Sequence, residues 1–134
     1  MIRFVLDTDI CIFWLKGNRQ IEQRLIQVGM ERVALSVVTA CELAYGAWKS
    51  HRRQENLRVL ERLHRTLPIL HTTDRIVQLF GSWKASLESQ GAGLDDADLL
   101  IASIAHANGC ALVTNNRTHF TRIPGLAVER WLSP

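Results

Sequence analysis

The chain has 134 residues, with 16 Lys+Arg against 13 Asp+Glu, 47% apolar residues and 22% charged ones. That length fits one domain over residues 1–134, large enough to bury a core without disulfides or a structural metal. The composition excludes an intrinsically disordered chain, and no run approaches the ~18 apolar residues of a membrane span.

The opening Met1-Ile2-Arg3-Phe4-Val5-Leu6-Asp7 lacks a secretory cleavage site, so a cytoplasmic protein is expected. Cys11, Cys41 and Cys110 are odd in number, far apart and set among apolar neighbours, which predicts buried, reduced thiols. Thirteen of the 16 cationic residues are Arg, and the pI is about 9.1. The guanidinium fork suits phosphate, although a net charge of +3 also describes an ordinary solvated surface.

Taken in chain order, Arg3 to Leu6 reads as a buried strand ending at Asp7. Asp9 to Lys16 reads as a helix stopped by Gly17-Asn18, and Arg19 to Val28 as a second, with Ile21, Leu25 and Val28 at helical spacing. A short strand follows over Arg32 to Leu35. Thr39 to His51 and Gln54 to Thr66 are helices, the latter carrying Leu57, Leu60 and Leu63 on one side and stopped by Pro68. Ile69 to His71 is a third strand. Thr73 to Glu88 is a helix closed by Gly91-Ala92-Gly93, and Asp96 to Ala107 is a helix closed by Asn108-Gly109. Ala111 to Val113 and Ala127 to Glu129 complete the strands. Short apolar strands alternating with helices predict an α/β fold with a mainly parallel sheet.

Such sheets carry their sites at the carboxyl ends of the strands. Asp7-Thr8-Asp9 follows the first strand, Asp95-Asp96-Ala97-Asp98 opens the late helix, and Thr114-Asn115-Asn116 follows the fourth strand. Several of these residues have a structural explanation. Asp9 suits a helix N-cap, Thr39-x-x-Glu42 has the form of a capping box, Asp95 and Asp96 suit a helix start, and Asn115-Asn116 suit a turn. Asp98 resists one, because Ile101, Ala102 and Ala105 share its helix face and should meet the sheet. Asp7 poses the same problem at the end of a buried strand. A buried lone carboxylate is costly unless it is paired or binds a cation. Converging carboxylates, with Glu42 a third ligand, fit a hard divalent ion such as Mg²⁺ or Mn²⁺ acting on phosphate esters. Phosphate-binding loops, zincin motifs and nucleophile elbows are absent. Among the five His, only His119 falls near this site, and His51, His64, His71 and His106 read as surface or helix-edge residues.

The order Phe4-Val5-Leu6-Asp7-Thr8-Asp9-Ile10-Cys11-Ile12, Ser36-Val37-Val38-Thr39-Ala40-Cys41-Glu42-Leu43-Ala44-Tyr45-Gly46, Asp95-Asp96-Ala97-Asp98-Leu99-Leu100-Ile101-Ala102 and Leu112-Val113-Thr114-Asn115-Asn116, with Phe120 and Pro124-Gly125-Leu126, resembles the PIN-domain ribonucleases. The closest resemblance within them is to the VapC toxins of toxin–antitoxin pairs. It implies a three-layer α/β/α fold with a short-stranded central sheet. It also implies a metal-dependent endoribonuclease that leaves a 5′-phosphate and a 3′-hydroxyl, with tRNA or another structured RNA as substrate. Asp7, Glu42 and Asp98 match the family's acidic, Mg²⁺- or Mn²⁺-holding site, and Thr8 and Asp9 lie close enough to help position it. A fourth family acid often lies in the loop after the last motif strand. Here that loop reads Thr114-Asn115-Asn116-Arg117-Thr118-His119-Phe120 and holds none, so Asn116 is the best match.

The resemblance also implies a homodimer and a VapB antitoxin bound in an apolar groove between the early helices, a complex of toxin and antitoxin chains. Trp14, Trp48 and Leu43 are candidates for that groove, or else core residues. Arg52, Arg53 and Arg117 are candidates for the RNA backbone, or else solvated surface. Two other readings compete. One is a degenerate PIN module that binds RNA or protein without cutting. The other is a haloacid-dehalogenase-type phosphatase, suggested by Asp7-Thr8-Asp9 and Asp95-Asp96 but with its hydroxyl motif out of order.

Overall fold

The computed structural model describes residues 1–133. Its five strands are β1 (Phe4–Leu6), β2 (Val33–Ser36), β3 (Ile69–Leu70), β4 (Ala111–Val113) and β5 (Val128–Glu129). They form one sheet in the order β3-β2-β1-β4-β5, with every pairing parallel. Parallel neighbours cannot be joined by a tight turn, so helices make the crossovers. These are α1 (Thr8–Leu15), α2 (Arg19–Val28), α3 (Val37–Lys49), α4 (Arg53–Thr66), α5 (Asp74–Ser89), α6 (Asp96–Ala107) and the short α7 (Arg117–Phe120).

Successive strand side chains point to opposite faces, and the core divides accordingly. Leu6, Val33, Leu35 and Val113 pack with Ile10, Ile21, Leu25, Leu43 and Leu60 on one face. Val5 and Leu112 pack with Leu87, Leu99, Ile101, Ala102 and Phe120 on the other. Two cores on one sheet make the expected three-layer α/β/α arrangement.

The helix ends follow local chemistry. Asn18 caps α2 by accepting from the Ile21 N–H at 3.1 Å, and Thr73 caps α5 by accepting from the Ile76 N–H at 3.3 Å. Gly109 closes α6 at φ +67°. That left-handed turn lets the Cys110 N–H reach the Ala105 carbonyl at 2.9 Å and the Gly109 N–H reach His106 at 3.0 Å, a Schellman closure leading straight into β4.

Three sequence expectations need correction. α3 begins at Val37, two residues before the expected Thr39, because Ser36 is the cap and accepts from the Thr39 N–H at 3.1 Å. Thr39 is therefore buried inside the helix, and Glu42 belongs to its second turn rather than to a capping box. Asp7, not Asp9, caps α1. Of the three free thiols, Cys11 and Cys110 are buried but Cys41 is exposed, since it lies on the side of α3 turned away from the sheet. The short helix α7 and the 3-10 turn Met30–Arg32 carry too few residues to show a period in sequence. No helix among the described residues is long and apolar enough to cross a membrane.

Candidate active site

The strand order turns at β1. The chain builds outward through β2 and β3, then returns to lay β4 on the other side of β1. Crossovers diverge at such a switch point and leave a crevice beyond the carboxyl ends of the two strands. Asp7 follows β1 and Thr114 follows β4, so both stand at that crevice.

Asp7 is 7% exposed. One carboxylate oxygen accepts from the Thr8 N–H at 2.8 Å, and the other accepts from the Thr114 hydroxyl at 2.8 Å. Its own N–H donates to the Val113 carbonyl. Burial raises its pKa, opposed by the bonds from Thr114 and Thr8, and the charges of Asp9 and Glu42 push it further up. The α6 face that carries Asp98 presses Ile101, Ala102 and Ala105 into the core. Asp98 itself stays half-buried, and its pKa is pushed up to about 6 by burial, then by the charges of Asp7 and Asp95.

Glu42 arrives from α3. The Thr8 hydroxyl donates to Glu42 Oε1 at 2.7 Å and lies 2.9 Å from the Thr39 hydroxyl. Thr8 has one hydroxyl proton, spent on Glu42, so Thr39 donates to Thr8. Ser36 in turn donates to Thr39 at 3.4 Å. A relay of three hydroxyls thus runs from the end of β2 to the Glu42 carboxylate. Neither Asp7 nor Glu42 forms an ion pair among the described residues.

Beyond β4, an amide and an imidazole come together. The Asn116 N–H donates to Thr114 Oγ1 at 3.0 Å, and Asn116 Nδ2 lies 2.8 Å from His119 Nδ1. His119 Nδ1 is 4.0 Å from Asp98 Oδ2. The loop therefore reaches Asp7 through Thr114 and approaches Asp98 through His119. Thr114, Thr39 and Ser36 are site residues that sequence reasoning did not single out by role. For Ser36 and Thr114 the signal was a hydroxyl at the end of each strand flanking β1, whereas Thr39 lies inside α3.

The other candidates lie elsewhere. Asp9 is exposed on the first turn of α1. Asp95 precedes α6 but makes no side-chain capping bond, and Asp96 pairs with Lys84 at 2.8 Å. Arg117 is exposed on α7, Arg52 pairs with Glu55 at 3.7 Å, and Arg53 Nε donates to the Trp48 carbonyl. A groove of about 610 Å³ opens between α1, α3 and α4, with Ile12, Leu15, Leu43, Ala47 and Leu60 as its apolar lining and Lys16, Glu42 and Glu55 as charged lining. Leu43 is in that groove as expected. Trp14 packs partly buried against the core, and Trp48 is 57% exposed outside the groove.

The donor set is all oxygen and anionic. Among the described residues no three His, Cys, Asp or Glu side chains form a ready-made metal cage. All-oxygen donors suit a hard divalent cation.

Residues 4–126 match the PIN domain family model. The chain is 34% identical over 131 residues to the tRNA(fMet)-specific endonuclease VapC of Salmonella typhimurium, covering 98% of this chain and 99% of that protein. It is 35% identical over 133 residues to the ribonuclease VapC2 of Haemophilus influenzae, covering 98% and 100%. The DNA-bound VapBC structure from Salmonella typhimurium superposes with a TM-score of 0.93 at 35% identity, over 98% of this chain and 100% of that one. VapBC2 of Rickettsia felis, bound to a promoter DNA fragment, superposes at 0.91 with 32% identity, over 98% and 100%.

Proposed function

The chain belongs to the PIN-domain family, among its VapC ribonucleases, and from that premise we propose that it is an endoribonuclease toxin that hydrolyses RNA phosphodiester bonds with Mg²⁺ or Mn²⁺ at Asp7, Glu42 and Asp98. The observation that carries this reading is that Asp7, Glu42 and Asp98, from three separate segments beside the β1/β4 switch point, lie near enough for their charges to push the Asp7 and Asp98 pKa values up.

Each residue has a distinct task. Asp7 is fixed by Thr8 and Thr114, which leave each of its oxygens a further lone pair facing the crevice. Asp98 faces it from α6. Glu42 is aimed by the Thr8 hydroxyl, so its second oxygen is free to accept a proton from the attacking water. Asn116 holds His119 beside Asp98 and offers an amide where a fourth acid often stands. A bound divalent ion supplies charge stabilisation on the phosphate and a lower pKa for the attacking water. The substrate is tRNA or another structured RNA, whose loops expose unstacked bases.

A VapB-type antitoxin is the partner, in a hetero-oligomer with a homodimer of this chain. The groove between α1, α3 and α4 suits an amphipathic helix from it. Because Glu42 borders the groove, a basic side chain from that helix would reach the acids that would hold the cation. Residues 1–134 are read as one domain. Neither the degenerate module nor the phosphatase has a structural observation in its favour.

The test is RNA cleavage by antitoxin-free protein with added Mg²⁺ or Mn²⁺, compared with Asp7→Asn. Loss of cleavage in the variant and in chelator is expected. Intact tRNA and structured RNA after incubation with metal-replete wild type would overturn the reading.

A further inference from the structure

Two large aromatic side chains stand in solvent on α3, away from both cores. Tyr45 is 66% exposed and Trp48 is 57% exposed. They lie three and six residues beyond Glu42, about 4.5 Å and about 9 Å further along the helix axis. Each carries a cation: Lys49 Nζ is 5.1 Å from the Tyr45 ring centroid, and the Arg53 guanidinium is 5.3 Å from that of Trp48. Arg53 is held there by its Nε bond to the Trp48 carbonyl at 2.8 Å. Neither Lys49 nor Arg53 forms an ion pair among the described residues. Their charges are therefore spent on no carboxylate of this chain.

We propose that Tyr45, Trp48, Lys49 and Arg53 form a stacking rail that carries single-stranded RNA up to the acidic centre, with bases on the two rings and phosphates on the two cations. The proposal rests on the ribonuclease reading and deepens it. Charge decides the occupant. A second copy of this chain would bring like charges together on this face, whereas a polyanion with flat bases complements both features at once. Every base has a π-face, so the rail contributes affinity and register without reading sequence. Its position on the helix that supplies Glu42 fixes the distance between stacked bases and the cleaved bond. Exposed indole and phenol rings cost solvation in the free protein, and stacking recovers it when RNA binds.

The test uses the full chain. Tyr45→Ala with Trp48→Ala is expected to raise KM for RNA cleavage by about tenfold or more, from the usual worth of base–aromatic stacking, with kcat little changed. Trp48→Phe should restore most of the Trp48 share. Fluorescein-labelled oligouridylate bound to the uncleaving Asp98→Asn chain should lose affinity in parallel. Lys49→Ala and Arg53→Ala should each lower the salt slope of that binding by about one. Unchanged KM and oligouridylate affinity in folded double variants, while wild type still cleaves RNA, would overturn the rail. So would a shift of the double variant from dimer to monomer in sedimentation, which would make this face an interface between copies. Failure of wild type to cleave any RNA would instead overturn the ribonuclease reading, while the oligouridylate measurement still judges the rail.

Discussion

Thr114 Oγ1 donates to Asp7 Oδ2 at 2.8 Å, joining two residues 107 positions apart across the β1/β4 seam. The bond is buried, and it is one of two that hold the carboxylate in a fixed orientation. Thr114→Val keeps the shape of the side chain and removes the donor. A hydrogen bond to a charged group contributes about 2 kcal/mol, so urea unfolding should show a loss of about that size. Mn²⁺ affinity should fall about tenfold, the usual effect of removing a group that orients a ligand. Calorimetric titration checks the second figure.

The pH dependence follows from Asp98. Its folded pKa, about 6, lies above the ordinary carboxylate value of 3.8. Between these values the folded chain binds more protons than the unfolded one, so metal-free stability falls as pH rises through that window. Burial, with the charges of Asp9 and Glu42, gives Asp7 a shift of the same sign. Thermal unfolding in chelator should thus show wild type losing ground to Asp98→Asn between about pH 4 and pH 6. Divalent ions compete with the same proton, so their affinity should climb across the window.

Asn116 gives a prediction in the opposite direction. Asn116→Asp places a hard anionic donor where the amide now stands, beside His119, which is 4.0 Å from Asp98. Mn²⁺ binding by calorimetry should tighten by about tenfold, because oxygen sites gain affinity with ligand charge. Metal-free stability should drop, since one more acid joins an already crowded set.

The groove can be tested without touching the acids. Leu15 lines it, yet is 37% exposed, so Leu15→Asp leaves the core intact. Inhibition of RNA cleavage by the co-expressed antitoxin should weaken by about tenfold or more, read as residual activity against antitoxin concentration. Burying a carboxylate under an apolar helix carries at least that cost.

Much of this was legible in order along the chain. Asp7 stood out because an acid ends an apolar strand, and Asp98 because an acid shares a face with Ile101, Ala102 and Ala105. Both arguments need only residue spacing and the cost of burying charge. Glu42 was harder. Thr39-x-x-Glu42 imitates a capping box, and only the bond from the Thr39 N–H to Ser36 Oγ shows that the cap lies three residues earlier. Trp48 misled in a similar way, because large aromatics are mostly buried and sequence cannot say which face of α3 lacks a neighbour.

The sequence by itself determined the element types and a mainly parallel α/β class, because periodicity and caps are local properties, while the three-layer arrangement came from the family resemblance. Tertiary structure decided which hydroxyls orient the acids. Thr8, Thr39 and Thr114 are ordinary residues until a parallel sheet places the ends of β1, β2 and β4 side by side. It also decided that Asp98 titrates near 6 and that Tyr45 and Trp48 face solvent. Desolvation and charge proximity depend on packing between segments far apart in the chain, which spacing along the sequence does not encode.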